Sequence, residues 1–313
     1  MEPDAVQRQN EPFECRFILL GALIPERIQQ MLRVHLISLY CLTSACASLA
    51  SPNAQSVFQE PTPLAKAHAH NDYRHHRPLL DALAHGFTSA EADVFLVDGQ
   101  LLVAHDRHEI RAHRTLQALY LDPLRERIKR NGGSVYGKPG RFILLIDFKT
   151  EAESTYALLH KVLSQYRECF TSFTPDGRQE RAVLAVVSGN RPRETMAAQQ
   201  LRYAGCDGRL SDLRSDVSAD LVPMISDNWG NYFTWSGNGP MPAEEYAKLR
   251  EVVDLAHEKK RVVRFWATPD KTSPEREALW NTLVSADVDV INTDDLCGLQ
   301  QYLLARLKDA DSK

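Results

Sequence analysis

Cysteine is scarce and unpatterned in this chain of 313 residues: there are six, at 15, 41, 46, 169, 206 and 297, with no C-x-x-C pair. That spacing excludes a zinc–thiolate site and gives no disulfide framework. An excess of basic charge is lacking too. The net charge is −4 with both signs dispersed, so no basic field argues for nucleic acid. The basic run RERIKR (125–130) reads as the solvated face of a helix, with peripheral contact to an anionic membrane as the lesser reading. No G-x-G-x-x-G follows the first strand, which argues against a dinucleotide fold. The apolar stretch after Met31 is too short, and too interrupted by Ser and Thr, to span a bilayer. Nothing in the sequence implies a protein partner.

What that N-terminal stretch does have is the layout of a secretory signal. Met31 and an arginine precede a short apolar core and Ala45-Cys46-Ala47. Residues 31–50 therefore read as a signal peptide, 1–30 as an upstream extension of the reading frame and 51–63 as a Pro-containing linker. The expected location is secreted or periplasmic. Lipid anchoring at Cys46 is a weaker expectation, because the usual Leu three residues before it is missing. An ordinary N-terminal helix is the alternative. Cleavage near residues 47–50 would leave Cys169, Cys206 and Cys297, an odd number.

From residue 64 to 309 strand-like and helix-like segments alternate. Strands are expected at 65–70, 89–97, 141–149, 181–189, 261–268 and 288–294, with weaker ones near 206–211 and 221–226. Helices are expected between them, the clearest at 151–166, 242–260 and 274–286. Asp98-Gly99 turns the second strand into a hairpin with 100–106. Eight βα-type strands predict a single-domain (β/α)₈ TIM barrel with an inserted hairpin after strand 2.

Chemistry in such a barrel sits at the carboxyl ends of the strands, and this chain places polar residues there in same-face pairs. They are His68 and His70, Glu91 and Asp93, Asp147 and Lys149, Arg264 and Trp266, and Asn292 and Asp294. Asp294 also reads as a cap for the helix that follows. Glu91, Asp93 and Asp147 offer hard oxygen ligands suited to Mg²⁺ or Ca²⁺. Lys149 and Arg264 suit an anionic substrate, and two nearby histidines suit proton transfer. The combination points to phosphodiester cleavage. For His105 to share the face of Asp93, the hairpin loop must hold three residues or a bulge; a two-residue loop sets His105 opposite Ala92.

The segment HAHNDY…LAHGFTSAEADVFLVDGQLLVAHD resembles the opening of the glycerophosphodiester phosphodiesterase and phosphatidylinositol-specific phospholipase C superfamily. It is most similar to the branch of the altered-inheritance-of-mitochondria proteins. IDFK, RFWATPD and VDVINTDD extend the resemblance to about residue 305. The resemblance implies His70 and His105 as the acid–base pair and Glu91, Asp93 and Asp147 as metal ligands. It also implies Lys149 against phosphate and Trp266 on the substrate rim; Asn71, next to His70, is expected among the substrate-binding residues. The spider-venom sphingomyelinase D group, in the same superfamily, likewise has an Asp-x-Lys. The chain departs from the typical His-Arg-Gly…Glu-Asn opening, since Asn71-Asp72 follow His70. Arg264 is expected to replace the missing phosphate-binding arginine and Asp147 to keep the metal bound. The expected substrate is a small phosphodiester or phospholipid headgroup. Two alternatives stay open. One is a metallohydrolase of amidohydrolase or polymerase-and-histidinol-phosphatase type, with His68 and His70 as ligands. The other is a non-catalytic ligand-binding barrel.

Overall fold

The computed structural model describes residues 60–311; the expectations for the signal-like segment, the upstream extension and most of the linker lie outside them. Eight parallel strands close on themselves. They are β1 (Leu64–Ala69), β2 (Phe87–Val97), β4 (Phe142–Phe148), β7 (Val183–Gly189), β8 (Ala204–Gly208), β9 (Met224–Asn228), β10 (Val262–Trp266) and β11 (Val290–Thr293). Each pairs with the next in that order, and β1 pairs with both β2 and β11, which closes the ring. This is a (β/α)₈ barrel. Among the described residues no helix is long and apolar enough to cross a membrane.

Helices cover the outside. They are α1 (Leu80–Ala84), α2 (Asp122–Arg130), α3 (Ala152–Ser164), α4 (Arg193–Ala198), α5 (Ala243–Glu258), α6 (Pro274–Ser285) and α7 (Leu296–Asp311). One face of each strand builds the main core against them, as Leu144 and Ile146 do on β4 and Val263 and Phe265 on β10. The other face lines the barrel. There Ile143, Leu145, Leu184, Val186 and Met224, with half-buried Val262, form a separate small cluster. It is joined by Phe173 from a hairpin, β5 (Ser172–Thr174) with β6 (Gly177–Gln179). The sequence reading missed that hairpin: its strands are three residues each and present no period-two pattern to find.

Period-two alternation along the lining face turns from apolar to polar as the strands approach their carboxyl ends. Asp147 continues the face of Ile143 and Leu145, Ser188 that of Leu184 and Val186, and Arg264 that of Val262. The barrel therefore carries a polar layer on an apolar plug.

The inserted β3 (Gln100–Val103) runs antiparallel to β2, with Val97 opposite Gln100. The loop is thus the two-residue one, and not the three-residue loop or bulge that would put His105 on the face of Asp93 by register. Asp98 and Gly99 both take positive φ, 48° and 73°, which is the two-residue turn that Asp-Gly favours. The ladder ends at Val103, and Ala104 donates its N–H to Asp93 O (3.2 Å). His105 lies beyond the strand, where face alternation no longer decides its direction.

Candidate metal centre and active site

Glu91, Asp93 and Asp147 converge: one carboxylate oxygen from each lies within 4.8 Å of the others. Register alone explains this. β2 and β4 pair with Asp93 opposite Asp147 and Glu91 opposite Leu145, so all three acids point into the barrel from adjacent strands. Lys149, whose N–H bonds Val94 O, brings its ammonium to 2.8 Å from Asp147 and 3.1 Å from Asp93. Burial would lower the lysine, but the two carboxylates outweigh it and push its pKa up.

Arg264 supplies the second cation. Its Nη2 lies 3.0 Å from Glu91 Oε2, its Nε donates to Asn292 Oδ1 at 2.9 Å and its Nη1 to Ser226 Oγ at 3.2 Å. Burial favours the neutral acid at Glu91, yet Arg264, with the two histidines, holds the carboxyl well below the usual range. Arg264 is 3% exposed and all three guanidinium nitrogens are engaged, so it braces Glu91 from below.

Three acids against two fixed cations leave the site with an uncompensated negative charge. Asp93 feels it most. Its pKa is raised to about 6 by burial and by the charge of Glu91, against the pull of Lys149. Both Asp93 oxygens are buried; Lys149 Nζ stands 3.1 Å from Oδ2, while Oδ1 makes no hydrogen bond. Buried acceptors are rarely left so unless something positive meets them. The donor set of three carboxylates is what Mg²⁺ or Ca²⁺ binds, so the residues present fit a divalent cation.

His70 leaves β1 at its carboxyl end. Its Nδ1 lies 2.7 Å from Asp294 Oδ1, and its Nε2 faces Glu91 Oε2 at 3.9 Å. A carboxylate only accepts, so Nδ1 donates to Asp294 and Nε2 is the ring nitrogen turned toward the acids. Asn71 also donates to Asp294 (3.1 Å) and accepts from the Tyr73 hydroxyl (2.5 Å). Asp294 is therefore the partner of His70 rather than the helix cap expected. The capping bond comes from Asp295, whose Oδ1 accepts from Gly298 N at 2.9 Å.

His105 stacks on the Tyr73 ring at 6.3 Å between centroids, which brings it beside the β1 loop without any help from the hairpin register. Its Nδ1 is 3.2 Å from Asp106 Oδ2. Trp266 ends β10 half-buried on the lining face. His68, two residues deeper than His70, is fully buried, with Nδ1 2.6 Å from Ser89 Oγ.

Sequence reasoning passed over several residues of the polar layer. Asp207 on β8 accepts from Ser188 (3.0 Å) and Arg209 (2.7 Å), and burial raises its pKa to about 6 despite that arginine. Asp72 lies behind the first loop, accepting from Leu79 N (2.5 Å) and the Tyr120 hydroxyl (2.8 Å). Extending the same-face rule along β7 and β9 would have found Ser188 and Ser226. Asp72 has no such signal, because it opens a short 3₁₀ turn (Asp72–Arg74) beyond the end of β1.

Comparison with known proteins places the chain. The model of the AIM6-like phosphodiesterase domain matches residues 56–205, and that of the glycerophosphoryl diester phosphodiesterase family matches 262–296. "Altered inheritance of mitochondria protein 6" of Eremothecium gossypii is 31% identical over 270 residues, 76% of this chain and 69% of the relative. The chain belongs to this AIM6-like phosphodiesterase family. A homologue from Arthroderma benhamiae is 28% identical over 291 residues, covering 81% of this chain and 90% of its own. Among solved structures, a calcium-dependent phosphoinositol-specific phospholipase C from Pseudomonas sp. is 12% identical with TM-score 0.44, covering 75% of this chain and 91% of its own. A glycerophosphoryl diester phosphodiesterase from Parabacteroides distasonis is 14% identical with TM-score 0.45, covering 79% and 87%.

Proposed function

We propose that this AIM6-like chain is a divalent-metal-dependent phosphoric diester hydrolase acting on a small phosphodiester or phospholipid headgroup. One observation carries the reading: three buried or half-buried carboxylates of adjacent strands converge, with Asp93 Oδ1 buried and making no hydrogen bond. Bound there by Glu91, Asp93 and Asp147, Mg²⁺ or Ca²⁺ would supply Lewis-acid stabilisation of a phosphoryl oxygen. Lys149 adds a cation beside the same acids, placed to attract the phosphate. His70, oriented by Asp294, presents the Nε2 lone pair as a base for the attacking oxygen. His105 returns a proton to the leaving oxygen, and Asn71 and Trp266 border the substrate. The attacking oxygen is water or a hydroxyl of the substrate itself.

The alternative in which His68 and His70 bind the metal together is disfavoured. His68 Nδ1 is taken by Ser89 and its Nε2 faces Glu91, so neither ring nitrogen faces a cation between the acids. Secretion, directed by the segment from Met31, remains part of the proposal, tested by N-terminal sequencing of the mature protein.

Hydrolysis of bis(p-nitrophenyl) phosphate tests the reading. Turnover is expected with Mg²⁺, Ca²⁺ or Mn²⁺, lost in EDTA and reduced at least about 100-fold in His70→Ala and His105→Ala. Absence of turnover of this and of glycerophosphodiesters with all three metals would sink it.

A further inference from the structure

The H-x-H of β1 holds a second histidine that the proposed reaction does not use. His68 is fully buried in the barrel interior, below His70 and beside Glu91. Its Nδ1 stands 2.6 Å from Ser89 Oγ. Its Nε2 makes no hydrogen bond, and Glu91 Oε2 stands 3.5 Å from it. Both neighbours restrict the tautomer. An ionised carboxylate accepts only, whereas a serine hydroxyl can donate or accept. The proton therefore belongs on Nε2, facing Glu91, while Ser89 donates to Nδ1.

Glu91 shows what this arrangement achieves. Arg264 Nη2 at 3.0 Å and His68 Nε2 at 3.5 Å both approach the same oxygen, Oε2. Oε1 receives none of them and is the oxygen left for a cation. A ligating carboxylate whose second oxygen is tied down loses less freedom on binding, and such outer partners tune metal affinity.

Resting on the metal-centre reading above, we infer that His68, set in its Nε2–H tautomer by Ser89, is a positioning residue that fixes Glu91 as a one-oxygen ligand of the divalent cation. The two histidines of the strand thus divide the work. His70 at the strand end serves the reaction, and His68 serves the ligand.

The test uses the intact protein and Ca²⁺ or Mg²⁺ alone, with binding measured by calorimetry and the histidine tautomers by ¹⁵N NMR. His68 is expected to show a protonated Nε2 at neutral pH. His68→Leu is expected to weaken cation binding about 10- to 100-fold, and Ser89→Ala several-fold. His68→Gln, whose amide N–H can face Glu91, is expected to stay within about threefold of the parent on the same scale. If His68→Leu does not fold, Ser89→Ala decides the matter. A protonated Nδ1 at His68, or unchanged cation affinity in a folded His68→Leu or Ser89→Ala protein, would overturn the inference and leave the metal centre standing. A parent protein that binds neither cation would overturn the metal centre, and this role with it.

Discussion

Replacing Arg264 by Met should expose how the polar layer is held together. The substitution keeps much of the side-chain volume and removes a cation 3.0 Å from Glu91, a pair that is 3% and 8% exposed. At an effective dielectric near 20, two unit charges that close interact by about 5 kcal/mol. Removing one partner of a buried pair typically costs about 3–5 kcal/mol, because the other charge stays behind. Asn292 and Ser226 also lose their donor, which adds about 1–2 kcal/mol that does not depend on Glu91. Urea denaturation at pH 7 in EDTA should therefore show a loss of at least about 3 kcal/mol in Arg264→Met. The loss should fall to about 1–2 kcal/mol when measured in a Glu91→Gln background. The pH dependence has a definite sign. In the parent, Arg264 depresses Glu91, so its stabilising contribution is present above the unfolded carboxyl pKa and lost only at very low pH. In the variant burial dominates and Glu91 is raised, so the deficit is fullest at pH 7 and shrinks as the acid takes up its proton. A coupling between the two positions below about 1 kcal/mol, or a deficit that grows toward low pH, would refute the bracing role.

Two further outcomes follow from other parts of the site. Gly189 has φ +66°, and a Cβ there would stand 2.5 Å from Phe148 O and 2.7 Å from Asp147 Oδ1. Gly189→Ala should lower stability by about 2 kcal/mol and weaken cation binding through Asp147, and a thermal melt matching the parent would contradict this. Asp72, buried and raised to about 7, keeps its proton in the folded state through the range where the unfolded chain has lost it. Its contribution to stability is complete below the unfolded pKa and is lost as pH rises through about 7, a swing of up to about 4 kcal/mol. Asp72→Asn should flatten that part of the stability–pH curve, and an unchanged slope between pH 4 and 8 would count against the shift.

The barrel was legible because its strands are apolar and separated by helical runs, and the inward acids because alternation along a buried strand is strict. Glu91, Asp93 and Asp147 needed no more than period two and parallel pairing to meet. Where the sequence misled, the cause was a residue whose role depends on a distant partner. Arg264 reads as a free cation until β11 brings Asn292 and β2 brings Glu91 to it. Asp294 reads as a helix cap until His70, 224 residues earlier in the chain, takes its carboxylate. No local pattern encodes either contact. The short hairpin at 172–179 and the turn acid Asp72 were missed for a different reason, since neither repeats with a period.

His105 shows the same limit and supplies the last test. Strand alternation with the observed two-residue turn would set it opposite Ala92, away from the acids, so the β2–β3 register does not bring it to the site. What holds it is local. Glu109 Oε2 accepts from the backbone N–H of His105 and of Asp106, both at 3.2 Å, and the imidazole lies on the Tyr73 ring. Glu109 is exposed and belongs to no metal cluster with the buried acids. Glu109→Ala should therefore loosen His105 without disturbing Glu91, Asp93 or Asp147. A fall in kcat of about 10-fold or more with cation affinity unchanged is expected on bis(p-nitrophenyl) phosphate, since a misplaced proton donor slows the chemical step alone. Unchanged kcat would mean that His105 is held by something other than this loop. A parallel loss of cation affinity would mean that the loop supports the metal centre rather than the histidine.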